Sequence, residues 1–196
     1  MSEQEINSSL STKSDFKRMR AEETTKRKRT KKLLWMVGVF GLLIFLIGGG
    51  IWYSQRQIKN LPGESIADQG REHITAANNF AYNSNPPTSG PHLPQAAEWG
   101  AYKEEVADET LIHNLEHGGV WISYKPDISD EVRIKLENFY EKWGRKIIVA
   151  PRSQNDSDVA LAAWNHLDKF SAAEFTDERV EKFIKAFRNK GPEYVP

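Results

Sequence analysis

The strongest hydrophobic feature of the chain is residues 33–53, which contain no charged side chain. A helix needs roughly 20 predominantly apolar residues to span a bilayer, and this run is long enough. Aromatic side chains favour the headgroup zones of a membrane, and Trp35 lies near one end of the run, with Trp52 and Tyr53 at the other. The pattern therefore predicts one transmembrane helix over residues 33–53, with the lipid bilayer as its partner.

Basic residues are distributed unequally around this run. Lysine or arginine occupies positions 26–29, 31 and 32 before it, whereas Arg56 and Lys59 follow it. Because cytoplasmic flanks carry the excess of Lys and Arg, we predict a single-pass protein of the cell membrane with a cytoplasmic N-terminus and an extracytoplasmic C-terminal domain. A cleaved signal peptide is the alternative, but its apolar core is usually about 7–15 residues.

Polar segments on either side of the run divide the chain further. Residues 1–32 are rich in Ser, Thr, Lys and Glu, so we predict a disordered basic cytoplasmic tail. Residues 54–70 contain Pro62 and Gly63 and are predicted to be a stalk. Residues 71–196 are then the extracytoplasmic domain. The equal totals of 27 basic and 27 acidic residues conceal that the basic excess lies in the tail.

Within residues 71–196, helical and strand periodicities alternate. The expected elements are a helix from about 108 to 117, a strand at 120–124, a helix at 130–143, strands at 146–150 and 159–164, a returning segment to 170, and a helix at 177–189. Ser129 and Thr176 are suitable N-caps. The strand–helix–strand unit at 120–150 predicts a parallel crossover. The predicted fold class is α/β, a small mixed sheet with flanking helices.

Two histidines lie four residues apart in the segment 111–121, Leu-Ile-His-Asn-Leu-Glu-His-Gly-Gly-Val-Trp. On a helix, residues i and i+4 share a face, so His113 and His117 are expected to project together, with Glu116 and Glu109 close to them. Three apolar residues are expected on the side facing the core: Leu111, Ile112 and Leu115. The glycines that follow His117 are expected to end the helix.

A third histidine follows a proline-rich segment. Four prolines and a glycine within residues 86–94 exclude both a helix and a central strand, so the segment is a stiff loop. Such a loop can hold the imidazole of His92 in place at low entropic cost. The preceding residues 70–80, which carry His73, are expected to be helical or extended.

Composition excludes several kinds of chemistry. The chain has no cysteine, so disulfides, thiolate nucleophiles and sulfur-bound metal sites are excluded. Ser89 lies in Thr-Ser-Gly, without the Gly-x-Ser-x-Gly elbow of serine hydrolases. A mildly acidic extracytoplasmic part argues against nucleic acid as a partner. We predict no catalytic residue, and a carrier or sensor is favoured over an enzyme.

Several segments together resemble a known family. They are Asn85-Pro-Pro-Thr-Ser-Gly-Pro-His92, Trp99-Gly-Ala-Tyr102, His113-Asn-Leu-Glu-His-Gly-Gly-Val120, Ala163-Trp164 and Gly191-Pro-Glu193. The chain resembles the bacterial domain-of-unknown-function family 3105 over roughly residues 65–193. The resemblance implies a membrane anchor followed by an extracytoplasmic domain, and it implies no activity.

The histidine-containing segment supports three hypotheses. In the first, His92, His113, Glu116 and His117 bind a transition metal, copper or zinc, since three imidazoles suit either ion. In the second, His-Asn-Leu-Glu-His is the inverted motif of a zinc metallopeptidase, in which two histidines hold zinc and the glutamate is the base. In the third, the segment and the proline-rich loop bond to each other as a purely structural feature, and the domain binds another protein of the cell envelope.

Overall fold

The computed structural model describes residues 3–59, 61–75, 80–193 and 195. The chain divides into two compact units, Met1–Lys59 and Asn60–Pro196.

The first unit is one helix, α1, Glu3–Lys59. Its apolar side chains from Leu33 to Tyr53 are solvent-exposed. Within the described residues, the stretch Lys26–Tyr53 is the one helical segment long and apolar enough to cross a membrane, and a signal sequence has the same properties. The helix also includes residues 3–32, for which composition predicts disorder; this segment contains neither Pro nor Gly, so no residue in it breaks a helix. Residues 1 and 2 of the predicted tail lie outside the described residues.

The second unit is a mixed sheet with helices on both faces, as predicted. Its elements are β1 Glu64–Ser65, β2 Gly100–Ala101, α2 Asp108–Glu116, β3 Val120–Tyr124, α3 Asp130–Trp143, β4 Ile147–Pro151, β5 Val159–Ala163, β6 His166–Phe170, a 3₁₀ turn Ala172–Glu174 and α4 Asp177–Phe187. The six strands have the order β1-β6-β5-β3-β4-β2.

Strand pairing confirms the predicted connections. β3 and β4 are parallel, and Ile122 pairs with Val149. β5 lies antiparallel to β3 on its other side, and β6 returns antiparallel to β5. The two-residue edge strands were not predicted: β1 pairs antiparallel with β6, and β2 pairs parallel with β4. Such short strands carry too few residues to show a period of two.

Alternation along β3 distributes its side chains between two cores. Val120, Ile122 and Tyr124 pack with α3 and α4, whereas Trp121 packs with α2. Both faces of the central strands are therefore covered, which explains their continuous apolar sequences. The α2 side of the sheet contains Leu111, Ile112 and Leu115, which are fully buried as expected. Each such burial contributes roughly 1.5–3 kcal/mol.

Helix boundaries follow local signals. The Ser129 hydroxyl accepts from the backbone N–H of Val132 at 3.4 Å, and the Thr176 hydroxyl accepts from Arg179 N–H at 3.2 Å, so both predicted N-caps are confirmed. The C-terminus of α2 is closed by two backbone hydrogen bonds. The N–H of His117 donates to the carbonyl of His113 at 3.1 Å, and the N–H of Gly118 donates to the carbonyl of Leu115 at 2.9 Å.

The predicted stalk, residues 54–70, and the predicted helical or extended piece, residues 70–80, differ in part from the structure. Residues 54–59 of the predicted stalk belong to α1, and residue 60 lies outside the described residues. Within residues 70–80, the part 71–73 is extended, and His73 forms an isolated parallel bridge with His92. Residues 76–79 of that predicted piece lie outside the described residues.

The turn after α2 requires glycine at position 118. Its φ is +78°, and a Cβ there would lie 2.9 Å from Cα of Asn189. We expect Gly118→Ala to lower the free energy of unfolding by more than the roughly 1–2 kcal/mol of the left-handed backbone alone. Gly70→Ala is the matched control, because Gly70 also has a positive φ but no atom within 4 Å of the added Cβ. Denaturant unfolding of both variants measures the difference; equal losses would contradict the steric argument.

Candidate functional site

Four of the five histidines of the chain lie around the C-terminal half of α2. Potential ligand atoms of His73, His92, His113 and Glu116 all lie within 4.8 Å of one another, and we call these residues the His/Glu cluster. His117 adjoins it through His113. Three residues of the cluster are buried, and His73 is exposed.

Backbone pairing brings His73 beside His92. His92 N–H donates to the carbonyl of Glu72 at 2.9 Å, and Ile74 N–H donates to the carbonyl of His92 at 2.8 Å. These two bonds fix the register of the two extended segments. The ring of His73 consequently stacks on that of His113, with centroids 5.1 Å apart and planes 10° from parallel. Its Nε2 lies 3.8 Å from the nearer oxygen of Glu116.

His92 is fully buried, and both of its ring nitrogens have partners. Nδ1 lies 2.8 Å from the carbonyl oxygen of Gly90, and Nε2 lies 3.0 Å from Oε2 of Glu116. A carbonyl oxygen can only accept, so Nδ1 carries a proton that it donates to Gly90. In the neutral imidazole, Nε2 then presents a lone pair to the carboxylate.

The ring of His113 is oriented in the same way. Its Nδ1 donates to the carbonyl of Leu93 at 2.8 Å, so in the neutral ring Nε2 is an acceptor. The Nε2 of His117 lies 3.0 Å away and must therefore donate to it. Burial, with a smaller contribution from His113, lowers the pKa of His117 below its ordinary value, which favours the neutral donor; Glu193 and Glu116 oppose this shift.

The cluster brings a carboxylate against a nitrogen lone pair. Two lone pairs at 3.0 Å repel each other unless a proton or a metal cation lies between them. Arg71 is the nearest fixed positive charge among the described residues, with Nε 3.7 Å from Oε1 of Glu116, but its side chain is 53% exposed whereas that of Glu116 is 5% exposed. The contact between Glu116 and His92 therefore requires a proton or a metal cation between the two groups.

The backbone of α2 is held from two sides. The amide of Asn114 accepts from the N–H of Ala97 at 2.9 Å and donates to the carbonyl of Ala97 at 2.8 Å. On the other side, Glu193 N–H donates to the carbonyl of Glu116 at 3.1 Å. Gly191 packs so closely that a Cβ there would lie 2.1 Å from the Glu116 carbonyl oxygen. These contacts fix the position of the side chains at this end of the helix.

Of the four residues predicted as ligands, the structure brings His92, His113 and Glu116 together. His117 contacts His113 but points on toward Glu193, whose Oε2 lies 3.4 Å from its Nε2. His73 was missed, because its proximity depends on pairing between extended segments and not on helical spacing. Its residue type was the one signal in the local sequence.

Glu109 is separated from the cluster. It lines a cavity of about 400 Å³ together with Asp108 and Arg152. There the buried guanidinium of Arg152 donates to both carboxylate oxygens of Asp108, at 2.8 and 2.7 Å, and to Oδ1 of Asn155 at 3.1 Å. This network joins the start of α2 to the end of β4. Its charges are paired with each other, which indicates a structural role.

The fold and the cluster define a class of protein: a small mixed α/β domain with a buried imidazole–carboxylate cluster, preceded by an apolar helix. Residues 73–195 match the sequence profile of the family described as "Protein of unknown function (DUF3105)". The chain belongs to this family. Comparisons with curated proteins and with solved structures found no match.

The loop that carries His92 depends on Tyr82. The Tyr82 hydroxyl donates to the carbonyl of Pro91 at 2.7 Å, and its ring covers Gly90. We expect Tyr82→Phe to lower the free energy of unfolding by about 1 kcal/mol through loss of this bond. Denaturant unfolding of the variant checks this, with Tyr140→Phe in α3 as the control.

The pKa of Tyr82 predicts that the free energy of unfolding decreases at alkaline pH. Burial, followed by the charges of Glu109 and Asp108, raises the pKa of Tyr82 from 10.0 to about 12. A raised pKa means that the folded state keeps this proton longer than the unfolded state, so its stabilising contribution is complete below pH 10 and is lost as the pH rises toward 12. Tyr82→Phe should flatten this part of the stability–pH profile; an unchanged slope would contradict the assignment.

Proposed function

We propose that this family member is a membrane-anchored extracytoplasmic domain that binds a divalent transition metal, zinc or copper(II), at His73, His92, His113 and Glu116. The observation that carries the proposal is the orientation of two imidazoles. His92 and His113 each donate Nδ1–H to a backbone carbonyl, so each Nε2 carries a lone pair: that of His92 faces Glu116, and that of His113 accepts from His117. Metal-binding histidines in proteins almost always have this second hydrogen bond.

The donor set decides which ions fit. Three imidazole nitrogens and one carboxylate oxygen are ligands of borderline ions such as zinc and copper(II). Copper(I) prefers thiolate or thioether sulfur. The chain has no cysteine, and its three methionines all lie within residues 1–36, outside the domain. A divalent ion would also separate the lone pairs of Glu116 and His92, which lie 3.0 Å apart.

The direction of Glu116 favours a ligand role over that of a peptidase base. In the inverted zinc-peptidase motif, two histidines four residues apart hold zinc and the intervening glutamate acts on water. Here Oε2 of Glu116 lies 3.0 Å from Nε2 of His92, among the other candidate ligands. We therefore propose a metal carrier or sensor.

A structural role without metal is the second candidate, and a specific observation supports it. The contacts of His113 with Leu93 and of His92 with Glu116 already join α2 to the proline-rich loop. With a proton in place of the metal, the same atoms would form a bonded connection between two segments. The alternatives differ in whether the cluster has any affinity for metal.

Metal binding is tested on the full-length chain in detergent micelles, purified with a tag that contains no histidine. Isothermal titration with Zn²⁺ and Cu²⁺ should give one tight site in the wild-type chain. His92→Gln should weaken binding by more than the roughly 10–100-fold typical of losing a residue that only orients a ligand. His166→Gln is the matched control, because His166 lies on β6 and stacks on Phe187 at 4.1 Å. A wild-type chain that binds neither ion, or equal binding by both variants, would contradict the proposal.

Glu116→Gln separates the two candidates. A glutamine at this position can donate an amide hydrogen to Nε2 of His92, so it keeps the bond between helix and loop without a charge. If the cluster binds metal, the variant should retain the metal-free stability of the wild type but lose most of its affinity. If the role is structural, metal should stabilise neither protein. Thermal unfolding with and without Zn²⁺ distinguishes these results.

We further propose that residues 33–53 anchor the chain in the membrane, with the C-terminal domain outside. The support is an exposed apolar helix preceded by basic residues. In a bacterial host, the full-length chain should stay in the membrane fraction after alkaline carbonate extraction. Protease added to intact spheroplasts should digest the domain and spare the N-terminus. Recovery of a soluble domain whose mass lacks the apolar segment would instead identify a cleaved signal sequence.

A further inference from the structure

We propose that His117 and Glu193 form an outer metal position through which an ion reaches the His/Glu cluster, with His113 as the ligand shared by both positions. This inference rests on the proposed function, since it concerns how that site is loaded. It assigns a role to the one histidine of the predicted set that lies outside the cluster.

The distances fit donors that share an ion. Nε2 of His113 lies 3.0 Å from Nε2 of His117, and Nε2 of His117 lies 3.4 Å from Oε2 of Glu193. Two donors bonded to one zinc ion at about 2.0–2.1 Å are roughly 3 Å apart. An ion between His113 and His117 replaces their hydrogen bond, and the proton of the neutral His117 imidazole then lies on Nδ1 in place of Nε2.

Burial increases from Glu193 through His117 to the His/Glu cluster. The side chain of Glu193 is 49% exposed and that of His117 is 18% exposed. His113 is 5% exposed, and His92 is fully buried. A hydrated ion that first contacts Glu193 can therefore exchange its waters for protein ligands one at a time, which avoids complete dehydration before the buried ligands are reached.

The charged side chains favour entry of a cation beside His117 and Glu193 over entry beside His73. His73 is also exposed, but Arg71 lies beside it, with Nε 3.7 Å from Glu116. A guanidinium repels an incoming divalent cation, whereas the carboxylate of Glu193 attracts it. The ammonium of Lys146 is also close to His117 and donates to the carbonyls of His117 and Val195, so the carboxylate of Glu193 offsets this positive charge as well as attracting the ion.

Backbone hydrogen bonds hold the segment that carries Glu193 against the turn that follows α2. Asn189 N–H donates to the carbonyl of Gly118 at 2.8 Å, and Glu193 N–H donates to that of Glu116 at 3.1 Å. Lys146 binds the carbonyl of Val195 at 2.7 Å. The C-terminal segment is thus attached to the same turn that ends α2, and its carboxylate is held next to His117.

The test is a stopped-flow measurement on the full-length chain in detergent. Loading is followed after mixing with Zn²⁺, and release is followed by transfer of Zn²⁺ to a chelating fluorescent indicator. Glu193→Gln and His117→Phe should each slow loading at least roughly tenfold, the lower end of the effect of charged clefts on association. Release should slow by a similar factor, leaving the equilibrium affinity nearly unchanged. Glu141→Gln on the exposed side of α3 is the control for a lost surface charge.

Three results would overturn the inference, and they are distinguishable. Wild-type rates in both variants would mean that the ion enters by another route. Faster release with unchanged loading would make His117 and Glu193 ordinary ligands of the single site. A wild-type chain that binds no Zn²⁺ would remove the proposed function itself and this inference with it.

Discussion

The contact between Nε2 of His92 and the carboxylate of Glu116 is the interaction on which the site depends. It joins a stiff loop to the end of a helix, and both side chains are buried. Because the other nitrogen of His92 donates to a carbonyl, the contact is stable only with a proton or a metal cation between the two groups. Because both groups are buried, electrostatic interactions between them are stronger than they would be at the surface.

The arrangement around this contact is built mainly by backbone groups. The carbonyls of Gly90 and Leu93 orient the two imidazoles, and the amide of Asn114 fixes the helix against Ala97. A positive φ at Gly118 lets the chain leave the helix directly into β3. Such a site has little freedom to rearrange, so a ligand that fits it has a low ordering cost.

Sequence periodicity gave most of the fold but only part of the site. The helices and longer strands were predictable because each has a local signal, such as the Ser129 and Thr176 caps or the apolar run of β4. His92, His113 and Glu116 were predictable as candidates because of their residue types and their rigid surroundings. His73 was not, since its position comes from a bridge to His92 that no local period encodes.

The sequence alone determined the apolar helix, the α/β order of elements and the candidate ligands, because helix spacing, capping and loop stiffness are properties of neighbouring residues. Tertiary structure decided which side chains meet. Residues 113, 116 and 117 lie close together on one helix end, yet Glu116 turns toward His92 while His117 turns toward Glu193. That division depends on where a loop 24 residues earlier and the C-terminal segment pack against the helix, and such long-range contacts leave no pattern in the local sequence.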